Sequence, residues 1–194
     1  MQNALTFIVK TLLDLYIITF ILRFILQWLR ADFRNPITQF IVRLTNPLVI
    51  PARRLIPSIR GIDTATIVVI MLLELAVTIV LINLTCMNSP HFIQIFGVMA
   101  LRLAYMMLRI YLFVIFIYVL MSWISPGGSF NPAANLLANI VEPVLRPFRR
   151  LIPSIAGIDL SALFALITIQ ALTMLLPVGQ VVAGMGCLSI SQLL

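Results

Sequence analysis

Charge is scarce in this 194-residue chain: Asp, Glu, Lys and Arg together make up 10% of it, where a soluble domain carries about 25%. Hydrophobic residues take up 62%, against the usual 45–50% or so. The core of a water-soluble domain cannot absorb that surplus, so much of it must face lipid. Histidine is nearly missing, with His91 alone in a short segment between apolar runs. The two cysteines, Cys86 and Cys187, have no partners at metal-ligand spacing and read as unrelated thiols near helix ends. There is no nucleophile–base pair, no metal cluster and no glycine-rich phosphate loop; Ser122 and Ser125 flank Trp123 without a base in reach. A non-enzymatic protein is therefore expected, with no cofactor and no metal. Acidic residues are the scarcer charge, 6 against 13 basic ones, for a net charge of +7. Such a balance can mark nucleic-acid binding. Here the bases cluster beside apolar spans, the juxtamembrane pattern, which argues against nucleic acid.

Four apolar runs reach the roughly 20 residues needed to cross a bilayer: 5–29, 64–85, 92–124 and 160–183. The third is over-long and should tilt or start outside the hydrocarbon. The fourth contains Pro177, which should kink or end it. The first carries Lys10 and Asp14, is too long for a signal-peptide core, and should stay as a membrane helix.

The chain is one unit written twice. Residues 47–63 read PLVIPARRLIPSIRGID and residues 143–159 read PVLRPFRRLIPSIAGID, 96 positions apart and identical at 12 of 17. The expected organisation is two repeats, 1–90 and 91–194, each with two spans joined by a basic loop. The loop at 30–63 holds six arginines and that at 124–159 holds three, while the opposite side has almost none. Lys and Arg excess marks the cytoplasmic face. Both loops should then be cytoplasmic and both termini outside. Repeats of two spans share one orientation, so a pseudo-two-fold axis along the membrane normal is expected.

Within each loop, Asn35-Pro36 and Asn131-Pro132 suit an N-cap and first helical position. Ile37, Phe40, Ile41 and Leu44, and Ala133, Leu136, Leu137 and Ile140, follow at helical spacing. Each marks an amphipathic helix, expected to lie in the interface plane. Prolines 47 and 51, and 143 and 147, predict that these helices end before the first proline of each pair. The pairs Arg53-Arg54 and Arg149-Arg150 then sit at headgroup depth, where they should bind anionic headgroups or an acidic partner. Asp63 and Asp159 stand where they can cap the following spans. Trp28 and Trp123 read as aromatic-belt anchors.

The doubled P-x-x-x-P-x-R-R-L-I-P-x-x-x-G-I-D with Asn-Pro upstream, and the N-terminal stretch LDLYIITFILRFILQW, resemble the YggT family of small integral membrane proteins. The resemblance covers nearly the whole chain. It implies a bacterial inner-membrane protein, with relatives in plastids. It further implies an association with osmotic and ionic tolerance, cell-envelope or division functions, and biogenesis of thylakoid complexes. The family has no assigned catalytic residues to carry over. Arg60 is replaced by Ala156 in the second copy, so the motif does not require that position.

Three charges lie deep in the spans: Asp14, Glu74 and Arg109. An isolated charge at that depth costs from about 2.5 kcal/mol upward, so each should be paired or face water. Asp14 maps to Arg109 at a shift of 95 and Glu74 to Gln170 at a shift of 96. Across a two-fold, Asp14 and Arg109 would form an ion pair with Glu74 and Gln170 beside it. Arg102 lies two turns away on the same face as Arg109, and Tyr16 and Tyr105 could supply hydroxyls. Two functions compete. One is a non-enzymatic scaffold or assembly factor of the cell envelope, in contact with anionic lipid and with a membrane-protein partner or further copies of itself. The other is a cation or proton channel or transporter subunit using the intramembrane charges.

Overall fold

The computed structural model describes residues 2–29, 31, 35–58, 61–86, 90–124, 132–151 and 159–182. Among them the chain is all helix: α1 Gln2–Trp28, α2 Pro36–Leu55, α3 Thr64–Thr85, α4 Phe92–Ile124, α5 Pro132–Leu151, α6 Leu160–Met174 and α7 Val178–Val182. Four stretches are long and apolar enough to cross a membrane: Ala4–Trp28, Thr64–Thr85, Phe92–Ser122 and Leu160–Val182. The last is interrupted between α6 and α7, just before Pro177. There α7 folds back on α4, and Gly97 permits the approach: a Cβ at that position would stand 2.8 Å from Val181 Cγ1.

Each half packs as a three-helix unit. In the first, α1 packs on α2 and α3; in the second, α4 packs on α5 and α6. The halves meet asymmetrically. Helix α4 lies against both α3 and α1, whereas α6 packs mainly on α4 and α5. The expected two-fold, in which α6 would sit on α1 as α4 sits on α3, is therefore not formed by these contacts. The N-terminal ends of α2 and α5 also touch: the Asn35 side chain accepts from Ile37 N at 2.9 Å and donates to the Pro132 carbonyl at 2.7 Å. Asn131 lies outside the described residues.

The loop helices are longer than the prolines predict. Helix α2 runs through Pro47 and Pro51, and α5 runs through Pro143 and Pro147. A proline removes one helix hydrogen bond and crowds the carbonyl four residues back. Spaced four apart, each pair falls on one face, and all four rings are exposed. The opposite face of α2 buries Thr38, Ile41, Thr45 and Val49, and that of α5 buries Leu136, Ile140, Val141 and Leu145. Burial along one face holds the helix together while the freed carbonyls on the other remain open to solvent. Helix α2 exposes a further apolar set, Ile37, Phe40, Leu44 and Leu48.

Candidate functional site

Arg102 on α4 is the largest fully buried side chain among the described residues. Its Nε donates to Glu74 Oε1 on α3 at 2.5 Å, and its Nη2 donates to Asp14 Oδ1 on α1 at 2.6 Å. One guanidinium thus bridges three spans, the planar fork serving two carboxylates that a lysine could not reach in one geometry. Glu74 is fully buried and also accepts from the Thr78 hydroxyl at 3.4 Å, while its Oε2 is buried with no hydrogen-bond partner among the described residues. Lys10 lies one turn from Asp14 along α1.

This arrangement corrects the expected ion pair. Arg109 does not meet Asp14: it is exposed, and its Nε and Nη2 donate to the Tyr105 hydroxyl at 2.9 and 2.6 Å. Tyr16 packs edge-on against Phe20, ring centroids 5.0 Å apart. Gln170 is exposed on α6 and does not join Glu74. The physical reason is the asymmetric docking. Helix α4 enters the groove between α1 and α3 rather than facing α1 across an axis, so the residue in reach of both acids stands two turns, about 10 Å of rise, nearer the start of α4. Repeat offsets identify equivalent positions, but not which of them touch. A signal was present in the sequence, since Arg102 shares a helix face with Arg109, but only the packing selects between them.

A second polar system recurs at the basic end of each half. Arg53 ends α2 and donates to Asp63 through Nη2 at 2.5 Å and Nε at 3.3 Å. Asp63 is the N-cap of α3, accepting from Thr66 N at 3.4 Å and from the Thr66 hydroxyl at 2.5 Å. In the second half Arg149 donates to Asp159 through Nε at 3.0 Å, and to Glu142 at 2.6 Å and the Tyr118 hydroxyl at 3.2 Å. Asp159 caps α6, accepting from Ser161 N at 3.1 Å and from the Ser161 hydroxyl. In each half a cation at the negative end of one helix dipole is forked to an anion at the positive end of the next. Gly61, at φ 80°, makes the turn that brings the first pair together. Burial alone would raise the Asp63 carboxyl, but the hydrogen bonds from Arg53 and Thr66 outweigh it and hold it below its ordinary value. Asp159 is likewise lowered: burial opposes, and Ser161 and Arg149 prevail.

The arginine pairs therefore divide. Arg53 and Arg149 clamp the fold, whereas Arg54 and Arg150 are exposed and form no ion pair among the described residues. A further clamp, absent from the sequence-based site, is the buried Arg23. Its Nη1 donates to Thr45 Oγ1 at 2.7 Å and Asn46 Oδ1 at 2.9 Å, fixing α2 to α1. Tyr118 holds the repeat-equivalent place and turns to Arg149 instead. Cys86, at the end of α3, is disulfide-bonded, so the reading of two unrelated thiols does not hold; Cys187 lies outside the described residues. Among the described residues no group of His, Cys, Asp or Glu could hold a metal ion.

A CCB3/YggT family model matches residues 2–84 and again 98–181. An uncharacterized protein of Pseudomonas aeruginosa is 41% identical over 178 residues, covering 90% of this chain and 89% of its own. The uncharacterized protein YggT of Escherichia coli K12 is 34% identical over 174 residues, 89% of each chain. An uncharacterized protein of the proC 3′ region of Vibrio alginolyticus is 40% identical over 172 residues, covering 87% of this chain and 91% of its own. No solved structure matches the chain. The chain belongs to the CCB3/YggT family.

Proposed function

We propose that this multi-pass membrane protein is a non-enzymatic scaffold or assembly factor of the bacterial inner membrane, acting in osmotic and ionic tolerance. Its loop helices lie at the cytoplasmic interface and both termini are outside. The observation that carries this reading is the division of the motif arginines. In each half one arginine is spent on locking the loop helix to a span, and its neighbour, Arg54 or Arg150, is left exposed on a fixed platform. An exposed arginine near an anionic leaflet is worth about 1 kcal/mol, enough in pairs to gather anionic headgroups or an acidic partner segment. The disulfide-bonded Cys86 stands at the opposite end of α3 from the platforms, in keeping with an oxidising outer side.

Two measurements test this. Lipids retained in polymer-excised discs should be enriched in anionic species, and Arg54→Gln with Arg150→Gln should remove the enrichment and the osmotic tolerance together. Tolerance unaffected by the double change would overturn the platform. For orientation, a cysteine placed at Arg54 should be labelled only after the cells are permeabilised.

One observation favours the second reading, an ion or proton path: the unpartnered Oε2 of buried Glu74. Flux through the purified protein in liposomes, lost on Glu74→Gln, would establish that path in place of the scaffold.

A further inference from the structure

The two halves bury opposite faces. In the first half, Arg102 of α4 sits in the groove between α1 and α3, between Asp14 and Glu74. The groove walls there, Ile17 and Ile21 on α1 and Ile70, Glu74 and Thr78 on α3, are all buried. Their repeat equivalents are Leu112 and Phe116 on α4 and Leu166, Gln170 and Met174 on α6, at the same shifts of 95 and 96. These five line an open groove of about 490 Å³. Arg109, the equivalent of Asp14, stands on the same face of α4 one turn before Leu112. The second half thus carries the seat that α4 fills in the first, with no occupant among the described residues.

The complementary surface is also present. Helix α4 enters its seat with Met99, Arg102, Met106 and Ile110, all buried. The equivalents on α1 are Ala4, Phe7, Thr11 and Leu15, all exposed. A second helix repeats the asymmetry. On α5, Leu136 and Ile140 are buried, while their equivalents Phe40 and Leu44 on α2 are exposed, Phe40 at 64% against 6% for Leu136. The first half therefore exposes, on α1 and α2, positions whose equivalents the second half buries.

We propose that a second copy of this chain fills the groove, its α1 seated between α4 and α6 as α4 is seated between α1 and α3. The contact repeats inside the oligomer the junction already made inside the chain. Phe7 of the incoming copy takes the place of Arg102, between Arg109 and Gln170. An aromatic face against a guanidinium is favourable where water is excluded. The interface is heterologous, so each copy offers a groove to one neighbour and α1 to another. This inference stands on the repeat geometry and does not depend on the scaffold reading.

The test uses the full chain in its membrane, with a photoreactive benzoylphenylalanine at position 170 and, as a control, at Leu172 on another face of α6. Irradiation should yield a covalent dimer from position 170, its cross-link mapping to residues 4–15 of the second copy, and little from position 172. Met174→Trp, which fills the groove, and Thr11→Trp, which thickens the inserted face, should each lower the dimer yield at least tenfold. Both positions are at the surface of the single chain, and an unchanged helical circular dichroism spectrum shows that the variants fold. Adducts to lipid alone, adducts to a different protein, or dimers joined α6 to α6 would each overturn the proposal.

Discussion

Arg102→Gln is the sharpest perturbation of the membrane interior. The wild-type guanidinium is fully buried and bonded to one fully buried carboxylate, Glu74, and one largely buried carboxylate, Asp14. Removing it leaves Glu74 without its ion-pair partner and Asp14 with Lys10 as the cation nearest along α1. Breaking a buried pair from one side costs about 3–5 kcal/mol in soluble proteins. Interhelical polar contacts in membranes are weaker, about 0.6–2 kcal/mol, because the unfolded reference also finds partners. A loss of about 2–4 kcal/mol is expected for Arg102→Gln. The combination with Asp14→Asn and Glu74→Gln should recover a good part of it, since the buried acids no longer carry unpaired charge. Arg109→Gln, at an exposed arginine whose hydrogen bonds go to Tyr105 among the described residues, should change the stability of the single chain little. Steric trapping in bicelles measures all of these on one scale. If Arg109→Gln cost as much as Arg102→Gln, or if the triple variant were no better than Arg102→Gln alone, the three-span bridge would not be what holds the halves together.

Four other outcomes follow from the same geometry. Arg53→Gln should destabilise by about 1–3 kcal/mol, because Asp63 is 2% exposed and loses its forked donor, while Arg54→Gln leaves unfolding unchanged. Gly61→Ala should cost about 1 kcal/mol in the same assay, from its φ of 80° alone, since nothing lies within 4 Å of the added Cβ. The lowered carboxyls of Asp63 and Asp159 contribute stability that is fully present above the ordinary carboxyl value of 3.8 and is lost as pH falls through their folded values. Thermal unfolding in detergent should therefore weaken below about pH 4, and weaken less in a variant carrying Asp63→Asn and Asp159→Asn. Arg23→Met should loosen α2 from α1, read as faster amide exchange across residues 38–49 with α5 unaffected, because only the first half uses that clamp.

Much of the architecture was legible. Apolar length marked the four spans, and the Asn-Pro and Gly-Ile-Asp signals marked where helices begin, since caps are local chemistry written in adjacent residues. Proline was misleading in the loop helices. Its cost is local, but the buried faces that override it, Thr38 to Val49 and Leu136 to Leu145, gain their energy from other helices. The site was legible in kind and not in pairing. The sequence marks Asp14 and Glu74 as acids that need a cation at depth, yet which arginine serves them depends on how α4 slides and tilts in its groove. Arg23 was missed for a related reason: near the end of a span an arginine passes as an interface anchor, and its partners Thr45 and Asn46 show only when α2 is docked.

The differences between the repeats carry as much information as their identity. Where each half performs the same task, the residues match: Arg53 and Arg149, Asp63 and Asp159 build the same clamp between a loop helix and a span. Where the halves diverge, the tasks differ. Glu74 and Asp14 receive Arg102, whereas their equivalents Gln170 and Arg109 face outward. A duplicated unit that only needed to stand in lipid would have no reason to place an amide and a guanidinium along an exposed groove at mid-span, where each carries a desolvation cost. That cost is offset if the groove is covered in the working assembly. A covering helix there must accept polar company, and the exposed face of α1 that the repeat geometry places there carries Phe7 and Thr11.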